Sequence, residues 1–403
     1  MREVWVTGIG LVSSLGEGRE AHLAAMGTGF AEGARPVVDE VLFAPFPVHP
    51  SPALELDRQI PKKGDQRQME PWQRLGTYAA GLALDDAGAR GLVADMDLVV
   101  AAGGGERDLP LDESVLEALA ATPAGERERR LNELLTAGLR PTLFLAQLSN
   151  LLAGNISIVH GVTGASRTLM GEEQAGADAL RVAHARVAEG RNEVALVGGA
   201  FIAPRWDLLL LYRAGGLLRG GAPWAPVWSR GDAPGAICGT VAAFLVLEAA
   251  EGARARGAKG LARLSGIACD QARRAPGDDS LDAARRAFAR LAPAPGPLPV
   301  ISGATGVAAP VGAERSFLDG LAGQGFVPLV RATGSRIGWG VEAAFPANVA
   351  LAALALSAGR LPAPMEAAEA PFDGPPARAL VTGFGAWRGE SLALLERLEE
   401  GAA

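Results

Sequence analysis

Few side chains in this 403-residue sequence could do chemistry. Glu172 and Glu173 stand side by side, and adjacent carboxylates can push one pKa upward and form a general-base dyad. The plainer reading has one of them capping a helix N-terminus and the other making a structural bond across a subunit contact. The two cysteines, Cys238 and Cys269, are too few for a disulfide framework or a zinc site, and the four histidines, His22, His49, His160 and His184, show no ligand spacing. No metal and no other cofactor is expected. The net charge of −7, without long blocks of one sign, argues against nucleic acid and against a polybasic membrane surface. The opening MREVWVTGIGLVSSLG places charges straight after Met1 and glycines inside its apolar run, which suits a buried strand and turn better than a signal peptide. No apolar stretch is long and unbroken enough to span a bilayer, so the cytoplasm is the expected location.

Four short apolar segments that end in glycine-rich turns supply a frame for these groups: VWVTGIG (4–10), VALVGGA (194–200), PVISGATG (299–306) and ALVTGFG (379–385). Such runs predict buried strands. The first and last nearly repeat, Val6-Thr7-Gly8 against Val381-Thr382-Gly383, which predicts an internal duplication. Helical periodicity covers 73–88, 175–190 and 344–359, each closed by a glycine at the expected C-cap. Strands alternating with helices imply α/β layers. The third helix is apolar nearly all round and should lie between two sheets, a place that a five-layer αβαβα sandwich provides. Residues 35–65, rich in proline, and 103–141, of mixed charge with a helical stretch at 126–139, read as insertions on the outer face. The run APAPGPLP (292–299) reads as a loop within one compact unit.

In this order the segments resemble the β-ketoacyl-acyl carrier protein synthases of the thiolase-like superfamily, along essentially the whole chain. VTGIGLVSSLG is similar to the family's opening strand and turn, and Gln68-Met69-Glu70 to the lead into its first buried helix. NLLAGNISIVHGVTGA (150–165) is similar to the stretch before the nucleophile, and AICGTVAAFLVLEAAEGARARGAK (236–259) to the strand and helix after it. ATGSRIGWGVEAA and VTGFGAWRG complete the series. The resemblance implies a thiolase-like five-layer αβαβα sandwich built from two duplicated halves, residues 1–250 and 251–403. It also implies a cysteine thiolate at a helix N-terminus to accept the acyl chain, and two histidines to support decarboxylation and stabilise the oxyanion. All three are missing. Gap-free counting places the nucleophile position on Glu173, the first histidine at Ala304 give or take one residue, and the second at Trp339; the sequence has no histidine beyond His184. The family's lysine becomes Gly334 and its asparagine Arg388.

A ketosynthase-like chain that has lost these groups resembles the chain length factor of type II polyketide synthases, the inactive partner of a competent ketosynthase. GEEQAGADAL (171–180) is similar to the Glu-Gln-Ala-Gly signature of those subunits, with a departure: glutamine usually holds the cysteine position, whereas here Glu173 does and Gln174 follows it. The degenerate partners of aryl-polyene and highly reducing polyene systems are resembled equally. The implied partners are an active ketosynthase, in a heterodimer, and an acyl carrier protein with a growing β-ketoacyl or polyene chain. In the family the segment after Pro141 sits at the two-fold interface and reaches the neighbour's acyl tunnel. Thr142, Leu143, Phe144 and Gln147 are therefore candidates for setting tunnel depth, or for plain interface packing, and Met170, Glu173, Gln174 and Phe384 are further tunnel or interface candidates.

Phe384 matches the family's gating phenylalanine, with a packing role as the alternative. Cys238 could be a displaced nucleophile, although free cysteines in apolar strands are usually buried and inert. His160 and His184 are expected to be structural. Arg254, Arg256 and Lys259 either meet an acidic carrier protein or form a solvated helix end. The expected function is a non-catalytic subunit shaping the acyl tunnel. The alternatives are an independent decarboxylase or acyltransferase using Glu173, and a homodimeric scaffold that binds carrier protein.

Overall fold

The computed structural model describes residues 1–29, 36–273 and 279–399; Arg35, at the start of the proline-rich segment, lies outside them. Among the described residues the fold rests on β1 (Val4–Ser13), β2 (Asp97–Ala101), β3 (Ser166–Leu169), β4 (Val194–Phe201) and β5 (Val241–Ala249), then β6 (Ala262–Asp270), β7 (Gly296–Ser302), β8 (Phe326–Ala332), β9 (Arg378–Phe384) and β10 (Glu390–Glu396). The first five pair in the order β3-β2-β4-β5-β1, the last five in the order β8-β7-β9-β10-β6. Both sets are parallel at the outer end and antiparallel at the inner end. They run into one another where Trp5 and Val6 of β1 pair with Arg263 and Ala262 of β6.

The helices around these strands include α1 (Pro71–Asp86), α2 (Leu109–Ala120), α3 (Arg127–Gly138), α4 (Leu143–Ala146), α5 (Leu151–His160), α6 (Glu172–Ala188), α7 (Trp206–Ala214), α8 (Ser280–Leu291), α9 (Ala308–Ala322) and α10 (Ala344–Ser357). α1 and α5 cover the outer face of the first sheet, α8 and α9 that of the second, and α6 and α10 lie between, touching strands of both. This is the thiolase-like five-layer αβαβα sandwich. α10 has no polar face because it needs none: every residue from Phe345 to Leu356 is buried. α1 starts at a capping box, in which the Glu70 N–H donates to Gln73 Oε1 at 3.0 Å, with Pro71 at its first position. The glycines that close the three predicted helices, Gly88, Gly190 and Gly359, have φ of +57°, +73° and +64°, a left-handed conformation open to glycine.

Three expectations need correction. Strand order makes β1 the counterpart of β6 and β4 that of β9, so the Val-Thr-Gly repeat of β1 and β9 links strands that are not equivalent. The matching pair is Ala195-Leu196-Val197 of β4 with Ala379-Leu380-Val381 of β9. β1 and β9 share a glycine because something presses on each: a Cβ at Gly8 would lie 2.5 Å from the Ala83 carbonyl of α1, and one at Gly383 would lie 3.0 Å from the Phe345 ring. Residues 36–65 are also more than an outer insertion, since Phe43, Phe46 and Val48 join the main core and Val48–His49 pairs with Cys238–Gly239. Finally, the strand β7 starts at Gly296, inside the run read as a loop, so Pro297 joins Pro299 within it. A strand tolerates them there because β9 joins β7 only from Val300 onward.

Candidate functional site

The N-terminus of α6 meets the turn between β9 and β10. Gly171 and Glu172 enter the helix at φ of +145° and +47°, and the second value costs a residue with a β-carbon about 1 kcal/mol. Glu172 is held there by Arg388, whose Nε lies 2.5 Å from its Oε2. Glu173 Oε1 accepts the backbone N–H groups of Ala386 at 2.9 Å and Trp387 at 3.4 Å. Its other oxygen, Oε2, is buried without a partner among the described residues. Burial pushes the Glu173 carboxyl above its usual range, against the opposing pull of these backbone N–H groups. Gln174 turns aside, its Oε1 accepting from Ser391 Oγ at 3.0 Å.

Glu173, Gln174, Trp339, Asn348 and Phe384 share a cavity of about 30 Å³, space for one or two water molecules and not for an acyl chain. Gly303 also lines it, whereas Ala304 packs against Val227 and Ala332. Ala304 and Gly334 instead border an adjoining void of about 10 Å³, which Trp339 also walls. Trp339 is buried in contact with Tyr212, ring centroids 5.3 Å apart, and both meet Trp387 at 6.1 and 5.1 Å. Phe384 packs on Phe317 at 5.9 Å.

Sequence reasoning overlooked Tyr212, Trp387 and Glu342. Trp387 and Glu342 were in plain view within VTGFGAWRG and ATGSRIGWGVEAA, but nothing in either motif says which way a side chain faces. The Glu342 carboxyl fits against Gly103, where a Cβ would lie 2.4 Å from Oε1. Burial first, then the negative charges of Glu173 and Glu172, push Glu342 up to about 8. Burial and the Glu342 carboxyl likewise raise the Tyr212 hydroxyl above its ordinary range.

The remaining chemical groups do not line this cavity. Cys238 is buried, its thiol pushed up to about 12 by desolvation, and an uncharged buried thiol is a poor nucleophile. His160 binds the Thr77 carbonyl through Nε2 at 2.8 Å and Arg90 through Nδ1 at 2.9 Å. His184 donates to the Leu264 carbonyl at 2.9 Å. Arg254 lies over the Trp5 ring and Arg256 pairs with Glu248, while Lys259 borders an open cleft. Among the described residues no cluster of His, Cys, Asp or Glu could hold a metal, and no helix is long and apolar enough to cross a membrane.

Thr142, Leu143, Phe144, Gln147 and Met170 do not line the cavity. They lie at or near α4 and the β3 edge, where Phe144 is 68 % and Met170 63 % exposed, and Met170 Sδ accepts from Ser149 Oγ at 3.1 Å. Leu116, Leu139, Leu145 and Ile158 are exposed as well. Beside them β3 is a sheet edge, and among the described residues no strand pairs with its outer side.

Residues 1–253 match the family described as beta-ketoacyl synthase, N-terminal domain. A 3-oxoacyl-[acyl-carrier-protein] synthase 2 from Rhizobium meliloti (strain 1021) is 30% identical over 287 residues, 66% of this chain and 63% of that protein, so the chain spans less than two thirds of that relative's length. Among solved structures, the ishigamide ketosynthase/chain length factor superposes with a TM-score of 0.80 at 21% identity, over 99% of this chain and 100% of that one. A type II polyketide synthase acyl-carrier protein in complex with its ketosynthase bound to the hexaketide superposes with a TM-score of 0.73 at 15% identity, over 99% and 100%. At these identities the structural likeness speaks for the fold.

Proposed function

Because the chain belongs to the β-ketoacyl synthase family, we propose that it is a non-catalytic chain length factor, pairing with an active ketosynthase in type II polyketide or fatty-acid-like biosynthesis and shaping the tunnel that limits acyl chain length. One observation carries this reading. Where the family's chemistry needs a thiolate and two imidazoles, the cavity presents Glu173, Gly303 and Trp339 and has room only for water. A buried carboxylate is a poor acyl acceptor, and no histidine is among the residues that line the cavity.

The apolar surface around Phe144, next to the open β3 edge, supports pairing with a second chain. A carrier protein delivering a β-ketoacyl or polyene chain would then serve the partner's active site. In this reading residues 1–250 and 251–403 are the two halves of one compact unit.

The test is reconstitution with an active ketosynthase that keeps its cysteine and both histidines. The two chains should co-purify as a heterodimer, and exchanging Leu143 or Phe144 for smaller or larger residues should shift product length. Unchanged length with every such exchange would remove the tunnel assignment. Glu173→Gln should leave product amounts unaltered, and a large loss of product would favour an enzyme acting through Glu173. A stable homodimer indifferent to the ketosynthase would favour a carrier-binding scaffold.

A further inference from the structure

We propose that Glu173 is a built-in ligand: its carboxylate occupies a receptor for small carboxylates made by the backbone N–H groups of Ala386 and Trp387, and so holds the β9–β10 turn shut over the cavity.

The turn is a tight loop, closed by the Gly385 N–H on the Gly389 carbonyl at 2.9 Å, with Gly389 at φ of +78°. A side chain at Gly385 has no room, since a Cβ would lie 1.9 Å from the Arg388 carbonyl oxygen. Successive N–H groups of such a loop converge on one point and suit an anion. That point is taken by Glu173 Oε1, at 2.9 and 3.4 Å from the N–H groups of Ala386 and Trp387. Oε2 is buried, unpartnered among the described residues, and belongs to a residue lining a cavity of about 30 Å³. The neighbouring Glu172–Arg388 pair ties the same turn to the same helix end a second time.

Trp387 is thereby kept against Tyr212 and Trp339. The closed turn and the three rings together deny the cavity to an acyl arm. The occupant the pocket would take in place of Glu173 is a carboxylate of one or two carbons.

This inference rests on the non-catalytic reading of the site, but its readout is the stability of the chain, so its failure would leave the product-length test standing. Thermal unfolding of the full chain provides that readout. Glu173→Ala should lower Tm by about 3–6 °C through loss of hydrogen bonds to a charged acceptor. Formate or acetate should restore most of that loss in a saturable way, with chloride at equal ionic strength ineffective. Glu173→Gln, which keeps a carbonyl oxygen for the two N–H groups, should stay near the wild-type Tm, and Glu173→Leu, of similar size, should fall with the alanine variant. Rescue no larger than the wild type's own response to formate would overturn the proposal. So would equal Tm values for the glutamine and leucine variants, a comparison that remains available if the alanine variant does not fold.

Discussion

The two halves of the sandwich repeat one strand order but finish their outer edges differently. In the second half the edge strand β8 is covered at its C-terminal end by the chain that follows α10: Glu369 accepts the Ala332 N–H at 2.7 Å and the Met365 N–H at 2.8 Å, and Arg331 Nε donates to the Pro362 carbonyl. In the first half β3 has no such strap among the described residues, and Ser166 and Arg167 are exposed. β2 donates to the carbonyls of Ala165 and Leu169, so by the alternation of a parallel ladder the N–H and C=O groups of Ser166 and Thr168 point outward. Edge strands left bare invite pairing, and folded chains usually cover or blunt them. The difference identifies which of two similar edges is available to a partner.

Proline substitutions can break this comparison most directly. Thr168→Pro removes an outward N–H without touching the pairing with β2, and should weaken association with the ketosynthase at least 100-fold, about 3 kcal/mol, while the isolated chain keeps its Tm. Analytical ultracentrifugation and a melting curve read both quantities, and unchanged association would show that β3 is not the contact. Glu369→Ala tests the covered edge. It leaves two buried N–H groups without their acceptor and should cost about 2–4 kcal/mol in chemical denaturation without altering partner binding. A loss of binding there would mean that the two edges are not functionally distinct.

A smaller effect distinguishes the cavity side of the first half. Glu342 titrates near 8 in the folded chain against 4.5 in the reference state, so the folded form holds a proton that the unfolded form has released between those values. Stability should therefore fall as pH rises from about 4.5 to about 8. Glu342→Gln removes that contribution, so its Tm advantage over the wild type should be absent near the lower limit and grow toward the upper one. An advantage independent of pH would mean that Glu342 is not buried as an acid. Glu173, Glu314 and Glu369 are also raised by burial and should leave a residual slope.

Much of the frame was legible because its signals are local. Apolar runs ending in glycine marked β1, β4, β7 and β9, and glycine C-caps marked α1, α6 and α10, since backbone conformation and burial on both faces constrain each residue where it stands. The short β3, SRTL, carries no such run, and β8 is broken by Pro328 and Arg331. Their place in the fold comes from pairing with β2 and β7, partners far away in the chain.

The amino-acid sequence by itself determined that this chain holds two cysteines, Cys238 and Cys269, and no histidine after His184, whatever the fold does. It also determined that α10 must be buried, because that helix has no polar face to offer water. Only the tertiary structure decided what surrounds Glu173. The burial of Glu173, the selection of Gly303 over Ala304 as the cavity residue, and the contact of Trp339 with Tyr212 and Trp387 bring together segments distant in the chain. Direction and contact between such segments are set by the packing of α6 and α10 between two sheets, and no periodicity within any one segment encodes them.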